Sequence, residues 1–274
     1  MTLTIHEKIE QRSEEWFEQR RGIVTASVVG QLITTRKLTA IDYPCPECEA
    51  PAQNPCRGKK GQEITTKHTA RADEARRGNT TPILEVASND DSRRLTEKLV
   101  AERITGQIHQ SFVNDDMYRG ILCEPIARDY YAKYRETTVE EVGFMLLERD
   151  GVKLGYSPDG LVGEQGLCEI KCPRQHTHMR TVISGTVPAE YMPQLQCGLL
   201  VSGREWIDFV SFVGGMKLYV KRVFPDPRWQ KVIIDAARQF ESVAPELQRA
   251  YDEESAGLPM TDVVPDQLDD EIAV

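Results

Sequence analysis

The sequence predicts an α+β fold in which helices flank a central mixed sheet, an α/β/α arrangement, with a small zinc-binding module inserted. Two observations support this prediction. Helical patterns come first, a run of short strands follows, and a helix, two strands and a long helix complete the order. Between residues 41 and 78, closely spaced cysteines and prolines interrupt the helical pattern. At 274 residues the chain can bury one core and a small module besides.

The composition is typical of a folded soluble protein. Hydrophobic residues make up 40% of the chain, and no run approaches the roughly 18 to 20 apolar residues that span a membrane. The N-terminus lacks the apolar core of a signal peptide. Seven cysteines, an odd number in a chain without an export signal, argue against a disulfide framework. We therefore expect a cytoplasmic protein with no membrane partner.

The net charge of −9 at first argues against nucleic acid as a partner. The charge is unevenly distributed, however. Residues 245–274 carry nine acids against one base, so this segment alone contributes −8. The other 244 residues are nearly neutral, at −1. The acidic balance therefore does not exclude DNA as a partner.

The N-terminal segment predicts a helix, a turn and a second helix. Ser13 is followed by acids, as at a helix N-cap, and the helix is expected to end near Gly22. The second helix is expected to start at Thr25 or Ser27. Arg20 and Ser27 flank this turn, where a guanidinium, a hydroxyl and helix-start amides can hold a phosphate. The alternative is a helix cap beside a surface charge.

Three cysteines and a histidine follow with the spacing of a metal site. Cys45-x2-Cys48-x7-Cys56-x11-His68 supplies three thiolates and an imidazole, a complete tetrahedral set for structural Zn²⁺. The alternative is three unrelated cysteines and an unrelated histidine. Residues 36–78 carry nine bases and six acids, a charge of +3. DNA contact is the first hypothesis for this module, and a purely structural role is the second.

Two helices are predicted next, at residues 90–106 and at roughly 115–134. Glu124 lies in the second helix beside its apolar face and next to Pro125, which fits a helix bent at an active site. By default such a glutamate is a solvated surface residue. The predicted buried face of this helix consists of Ile121, Leu122, Ile126 and Tyr130.

The stretch from Gly155 to Pro173 carries the clearest chemical signal. It predicts two short strands joined by a glycine-containing turn, with Asp159 at the end of one strand. Residues two apart share a face of a strand, so Glu169 and Lys171 point the same way. Two carboxylates beside a lysine suit Mg²⁺, with the lysine holding an attacking water. The alternative is a surface hairpin with a solvated charge pair.

The C-terminal part predicts a helix from Pro188 to Gly203, two strands and a long helix from about residue 227 to 251. Tyr191 and Gln194 lie three apart, on one face of the first of these helices. The tail that follows Gly257 is acidic and poor in aromatic residues, so we expect it to be disordered.

Several of these residues form motifs with a family resemblance. Ser157-Pro158-Asp159-Gly160-Leu161 and Glu169-Ile170-Lys171-Cys172-Pro173 resemble the lambda-exonuclease (YqaJ-type) viral recombinases, nucleases of the restriction-endonuclease-like fold. The resemblance covers roughly residues 10–35 and 90–250. Three more motifs of the family occur in the right order: Trp16-x3-Arg20-x-Gly22-x2-Thr25-Ala26-Ser27, Gly120-x3-Glu124-x2-Ala127 and Tyr191-x2-Gln194-x-Gln196.

The resemblance implies a role for each of these residues. Arg20 and Ser27 are expected to grip the 5′-phosphate of a DNA end. Asp150 has two interpretations, a further metal-binding acid or a turn residue before Gly151. The resemblance implies that Asp159, Glu169 and the Ile170 carbonyl bind a first Mg²⁺ or Mn²⁺, and that Asp159 and Glu124 bind a second. It also implies that Lys171 orients the attacking water. Gln194 and Tyr191 are expected to support the site.

The resemblance also implies a biological role. It predicts a Mg²⁺-dependent 5′→3′ exonuclease that acts on double-stranded DNA ends and leaves 3′ overhangs for a single-strand annealing protein. Proteins of this family form ring-shaped trimers, so a homo-oligomer is expected here. The host compartment is the bacterial cytoplasm, and the source is a phage or prophage.

We divide the sequence into the N-terminal part of the nuclease domain (1–40), the zinc module (41–78), the nuclease core (79–252) and the acidic tail (253–274). One rival is a non-catalytic zinc-finger DNA-binding protein on a nuclease-like scaffold. A second is a RecB-type nuclease with an iron–sulfur cluster. That cluster needs cysteines behind the catalytic core, and no cysteine follows Cys197.

Overall fold

A computed structural model describes residues 1–78, 82–108 and 114–262. The chain divides into two compact units. The first combines Met1–Ile33 with the chain from Val86 onward, and the second is Thr34–Glu85, which contains the predicted zinc module. The tail that we expect to be disordered lies outside the described residues from residue 263 onward.

The described residues contain seven α-helices. None of them is long and apolar enough to cross a membrane. They are α1 (Glu14–Arg20), α2 (Thr69–Arg77), α3 (Asp90–Thr105), α4 (Asp115–Arg135), α5 (Gln175–Ser184), α6 (Met192–Ser202) and α7 (Pro227–Glu254).

Thirteen strands accompany these helices in the described residues. They are β1 (Thr2–His6), β2 (Val24–Thr25), β3 (Ile33–Arg36), β4 (Cys56–Arg57), β5 (Glu63–Ile64), β6 (Ile83–Val86), β7 (Val139–Glu140), β8 (Phe144–Arg149), β9 (Val152–Tyr156), β10 (Gly160–Val162), β11 (Gly166–Lys171), β12 (Trp206–Ser211) and β13 (Tyr219–Val223).

The sheets of the first unit are mixed, as predicted. A five-stranded sheet has the order β13-β12-β11-β10-β7, and a four-stranded sheet has the order β1-β8-β9-β2. Strands β11 and β12 are parallel, because α5 and α6 lie between them in the chain, whereas β10 and β11 form an antiparallel hairpin. The hairpin turn contains Gly163 at φ +54°, a left-handed conformation that glycine adopts without strain.

Strand β11 is buried on both faces, which explains its nearly continuous apolar sequence. Leu167 faces a core built from β8, β9, β12, α3, α6 and α7. Cys168 and Ile170 face a second core, to which α4 contributes Ala127 and Tyr131. Helices therefore cover both faces of the sheet at β11, which confirms the predicted α/β/α layering. Glu169 and Lys171 lie on this strand, in which five of the six residues are buried.

Many element boundaries agree with the sequence. Ser13 caps α1 by accepting a hydrogen bond from the Trp16 amide, at 3.2 Å. Helix α3 ends at Gly106 and α6 ends at Gly203, both in the left-handed conformation.

The predicted second N-terminal helix is wrong. Val24 and Thr25 form β2, which pairs in parallel with Leu154 and Gly155, and only a 3₁₀ turn at Val29–Leu32 follows. Both residues are β-branched, and here a sheet partner outweighs the weak helix signal. No α-helix begins at Ser27 to offer free amides, so side chains alone remain as the predicted phosphate donors near Arg20 and Ser27.

The predicted buried face of α4 is also wrong. Leu122, Ile126 and Tyr130 are each at least half exposed, and Ile121 is only partly buried. The buried residues Ala127 and Tyr131 come one position later. The small Ala127 lets the helix approach the sheet, and the Tyr131 hydroxyl donates to buried Asp208 at 2.9 Å. Because α4 is apolar on several sides, periodicity alone could not select this face.

Candidate active site and zinc centre

The Asp-Glu-Lys motif is brought together at the end of the β10–β11 hairpin. Asp159 lies directly before β10, and its Oδ2 accepts a hydrogen bond from the Ile170 amide at 2.6 Å. Ile170 stands between Glu169 and Lys171 on β11. This bond therefore places the Asp159 carboxylate beside the other two side chains.

Glu169 is almost fully buried, at 1% exposure, and all of its partners are donors. Lys171 Nζ donates to its Oε1 at 2.8 Å, and Gln194 Nε2 donates to the same oxygen. The Tyr156 hydroxyl donates to Oε2 at 3.1 Å. Tyr191 contributes its ring, whose centroid lies 5.6 Å from Lys171 Nζ. The structure thus brings Glu169 together with the predicted residues Lys171, Gln194 and Tyr191, and also with Tyr156, which the sequence analysis did not predict.

The electrostatics of this cluster favour a bound cation. Burial and the neighbouring Glu169 raise the pKa of Asp159 well above its ordinary value. Burial alone would lower the pKa of Lys171, but Glu169 and Asp159 outweigh it and raise that pKa above its ordinary value. Lys171 is therefore a charged donor at neutral pH. Two carboxylates that repel each other in a buried site provide the hard oxygen ligands that Mg²⁺ prefers.

Glu124 approaches this cluster from α4. Its Oε1 accepts a hydrogen bond from Arg128 at 2.8 Å, and its Oε2 lies 3.5 Å from Arg12. Arg128 also donates to the Asp159 backbone carbonyl oxygen at 2.8 Å, so one guanidinium links the Glu124 carboxylate to the backbone at Asp159. The carboxylate oxygens of Glu124, Asp159 and Glu169 bind these internal donors. Within the described residues they do not form a ready-made three-ligand cluster.

Asp150 lies apart from these contacts. It occupies the turn between β8 and β9 with φ +53° and is largely exposed. Its carboxylate pairs with Arg149 at 3.4 Å and with Arg238 at 3.9 Å. This position matches the interpretation of Asp150 as a turn residue.

Arg20 and Ser27 meet in a pocket of hydroxyl groups. Arg20 donates to Ser27 Oγ at 3.0 Å, to Ser157 Oγ at 3.2 Å and to Thr25 Oγ1 at 3.4 Å. Its guanidinium lies over the Trp16 ring, 4.1 Å from the ring centroid. Burial lowers the pKa of Arg20 to about 10, so it remains charged at neutral pH. A charged guanidinium whose bonds go to neutral hydroxyls is suited to binding an anion.

The sequence reasoning missed three residues of this pocket. Thr25 and Ser157 supply hydroxyls, and Trp16 donates its indole N–H to Ser157 Oγ at 2.8 Å. Ser157 precedes Asp159 by two residues, which joins the pocket to the carboxylate cluster. Its position in the Ser-Pro-Asp-Gly motif was the available signal. Arg21 points elsewhere and donates to the Gly106 carbonyl oxygen at 2.7 Å.

The two glutamines that follow Tyr191 have different hydrogen-bond partners. Gln194 reaches Glu169, whereas Gln196 is fully buried and bonds the backbone of the β13–α7 connection. Gln196 therefore has a structural position, on the opposite side of α6 from the cluster.

In the second unit, the four predicted zinc ligands converge. One ligand atom from each of Cys45, Cys48, Cys56 and His68 lies within 4.8 Å of the others. The Arg57 amide donates to Cys48 Sγ at 3.3 Å, and this bond is the main cause that lowers the pKa of Cys48 to about 6. Three thiols and an imidazole are the donor set of a closed structural zinc site.

Arg71 lies beside this centre and is fully buried. It donates to four backbone carbonyl oxygens and to Cys56 Sγ, at 3.4 Å. Three thiolates and one Zn²⁺ leave one net negative charge. A buried guanidinium that contacts a ligand sulfur compensates that charge.

Two family descriptions match parts of this chain. Residues 82–205 match the YqaJ-like viral recombinase domain, which confirms the family resemblance. Residues 11–87 match a putative DNA-binding phage zinc finger domain. The first match contains Glu124, Asp159, Glu169, Lys171 and Gln194, and the second contains Arg20, Ser27 and the zinc ligands. None of the curated proteins matches this chain.

Two solved structures of LHK-Exo, an alkaline exonuclease from Laribacter hongkongensis, are similar to this chain; one of them is a complex with dAMP. Each is 27% identical, with a TM-score of 0.62, and the match covers 90% of this chain and 100% of the other. A phage-related exonuclease from Haemophilus somnus 129PT is 12% identical with a TM-score of 0.42, covering 82% of this chain and 96% of the other.

Proposed function

We propose that this chain, which carries a YqaJ-like viral recombinase domain, is a Mg²⁺-dependent 5′→3′ exonuclease that acts on double-stranded DNA and leaves 3′ single-stranded overhangs. The family match and the likeness to an alkaline exonuclease assign it a nuclease role. The observation that carries the finer proposal is the buried Asp159–Glu169–Lys171 cluster, with Glu124 linked to it through Arg128.

The residues of the cluster fit two divalent ions. Asp159, Glu169 and the Ile170 carbonyl would hold one, and Asp159 with Glu124 would hold the other. Mg²⁺ or Mn²⁺ bound there supplies positive charge that polarises the scissile phosphate and lowers the pKa of a bound water. Lys171, charged at neutral pH, orients the attacking water and donates to the negative charge that develops on the phosphate oxygens. Gln194 and Tyr191 keep Glu169 and Lys171 in place.

The hydroxyl pocket supports the 5′→3′ direction. Arg20, Ser27, Thr25 and Ser157 offer a guanidinium and three hydroxyls, which is the donor set that binds a terminal phosphate. Ser157 lies two residues before Asp159, so a 5′-phosphate held there has its first phosphodiester near the carboxylates. The neighbour with dAMP holds a nucleoside monophosphate, the kind of product that such cleavage releases.

Separate observations support the proposed partners. The zinc unit holds a structural Zn²⁺ and contacts DNA, in keeping with its family description and the excess of bases over acids in residues 36–78. Five apolar residues spaced four apart on α4 are at least half exposed and form an exposed apolar row: Tyr118, Leu122, Ile126, Tyr130 and Tyr134. This row supports a homo-oligomer, for which the family resemblance suggests a ring trimer. A single-strand annealing protein receives the product strand. The setting is the cytoplasm of a bacterial host that carries the phage or prophage.

Digestion of linear duplex DNA tests the proposal. With Mg²⁺, the wild-type protein should remove one strand from 5′-phosphorylated ends, and EDTA should stop the reaction. Lys171→Ala should retain less than about a thousandth of the rate while still binding DNA, because the water loses its charged donor. Lys153→Ala is the matched control, since Lys153 pairs with Glu148 on an exposed surface.

The same assay distinguishes the proposed nuclease from its rival. A non-catalytic zinc-finger DNA-binding protein would bind the duplex and leave both strands intact with every metal. Full activity of Lys171→Ala would overturn the assignment of the catalytic residues.

A further inference from the structure

Arg128 contacts three acceptors near the candidate active site. It lies on α4, one turn after Glu124, and its side chain is only 11% exposed. It donates to Glu124 Oε1 at 2.8 Å and to the Asp159 carbonyl oxygen at 2.8 Å, and it pairs with Glu141 at 2.7 Å. Each nitrogen of the guanidinium thus contacts a different part of the chain.

These three acceptors come from three different segments of the chain. Glu124 belongs to α4, Asp159 lies in the loop before β10, and Glu141 precedes β8. A planar guanidinium can hold three acceptors in fixed directions, which a lysine ammonium at the end of a flexible stem cannot do. The geometry of Arg128 therefore fixes α4 against the loop that carries Asp159.

We propose that Arg128 is a positioning residue that fixes the Glu124 carboxylate relative to Asp159, so that the two acids can share one divalent ion. The inference rests on the proposed function and deepens it. Arg128 binds one oxygen of Glu124 and leaves Oε2 facing Arg12, at 3.5 Å. Oε2 is then the oxygen that is offered to the metal, and Arg12 is the side chain that must give way.

Removal of Arg128 should change the metal affinity in opposite directions, depending on whether the residue acts by its charge alone or by positioning Glu124. A cation close to a metal site repels the metal, so removal of Arg128 should tighten metal binding if only its charge mattered. If Arg128 positions Glu124, its removal weakens binding, since loss of such an outer partner costs about 10- to 100-fold in metal affinity. Arg128→Lys separates the two effects, because it keeps the charge and loses the three-way geometry.

The experiment compares Arg128→Met, Arg128→Lys and Glu141→Gln with the wild type. Calorimetry with Ca²⁺ gives metal affinity without cleavage, and Mg²⁺ titration of duplex digestion gives the concentration for half-maximal rate. Both Arg128 variants should weaken binding and raise that concentration by about tenfold or more. Glu141→Gln, which leaves the bonds to Glu124 and Asp159 in place, should shift both by less than about threefold. Circular dichroism checks that each variant is folded.

A double-mutant cycle keeps the inference testable if Arg128→Met does not fold. In a Glu124→Ala background, Arg128→Lys should have no further effect on Ca²⁺ affinity, because the residue acts through Glu124. Unchanged or tighter binding by the Arg128 variants, or an equal effect of Arg128→Lys in both backgrounds, would overturn the inference. Failure of the wild type to cleave with Mg²⁺ would instead overturn the proposed function, and the calorimetric result would still decide the role of Arg128.

Discussion

At the scale of single residues, the candidate site contains charged side chains that bond neutral groups or share several partners instead of forming simple ion pairs. Arg20 bonds hydroxyls, Glu169 is surrounded by donors, and Arg128 is divided among three acceptors. An ordinary surface ion pair contributes little to stability, at about 0–1 kcal/mol. These buried arrangements are instead suited to binding an anion in one place and cations in another.

Arg20→Ala should remove the preference for 5′-phosphorylated ends. Hydrogen bonds to charged groups contribute about 1.5–3 kcal/mol, so the rate ratio between phosphorylated and hydroxyl ends should fall about tenfold or more. The ratio is measured by digestion of two duplexes that differ only at the 5′ terminus.

Arg21→Ala is the matched control for this measurement, because Arg21 bonds the Gly106 carbonyl oxygen instead of the pocket. An equal loss of end preference in both variants would exclude a specific phosphate pocket at Arg20.

Local motifs predicted which side chains come together better than periodicity predicted their surroundings. The proximity of Asp159, Glu169 and Lys171 could be predicted from sequence because a hairpin fixes their mutual spacing over roughly a dozen residues. Thr25 and Trp16 join the pocket through contacts with Arg20 and Ser157, and the contact of Trp16 with Ser157 spans 141 positions of sequence. Such long-range contacts follow from the fold and leave no local pattern.

At the scale of elements, α4 shows why the orientation of a helix is hard to predict. Its predicted apolar face contains three residues that the structure exposes, because apolar residues occur on several of its sides. Two long-range contacts determine which face of α4 is buried: the small Ala127 packs against the sheet, and Tyr131 bonds Asp208. Sequence could place the ends of α4, but it could not choose the buried face.

We expect the exposed apolar row on α4 to form contacts between subunits. The row consists of residues four apart, Tyr118, Leu122, Ile126, Tyr130 and Tyr134, all at least half exposed. Residues at this spacing form the ridge by which helices pack against one another. Leu122→Glu combined with Ile126→Glu should therefore lower the molar mass measured by light scattering after size exclusion.

Leu258→Glu serves as the control for that measurement, since Leu258 is 68% exposed and follows α7. A molar mass that the α4 variant leaves unchanged, or that Leu258→Glu lowers equally, would exclude the row as the subunit interface.

At the scale of the whole molecule, the two units are stabilised in different ways. The first unit buries two apolar cores on the two faces of β11. In the second unit the buried apolar cluster consists of Cys45, Ala50 and Cys56, two of which are zinc ligands. Burial of so few atoms contributes little at about 25 cal/mol per Å². The fold class could be predicted from the order of helical and strand patterns, and the zinc ligands from cysteine spacing, because both are visible without a structure.

Zinc removal should therefore unfold one unit and spare the other. Structural zinc sites contribute on the order of 10 kcal/mol to folding, and Thr34–Glu85 has no comparable apolar core among its described residues. After treatment with a zinc-selective chelator, hydrogen exchange should rise strongly in that unit, while β8, β11 and β12 keep their protection. Excess Zn²⁺ should restore the original pattern. Retained protection of the zinc-free unit would contradict this prediction and show that other buried contacts, among them the five bonds of Arg71, suffice to hold its fold.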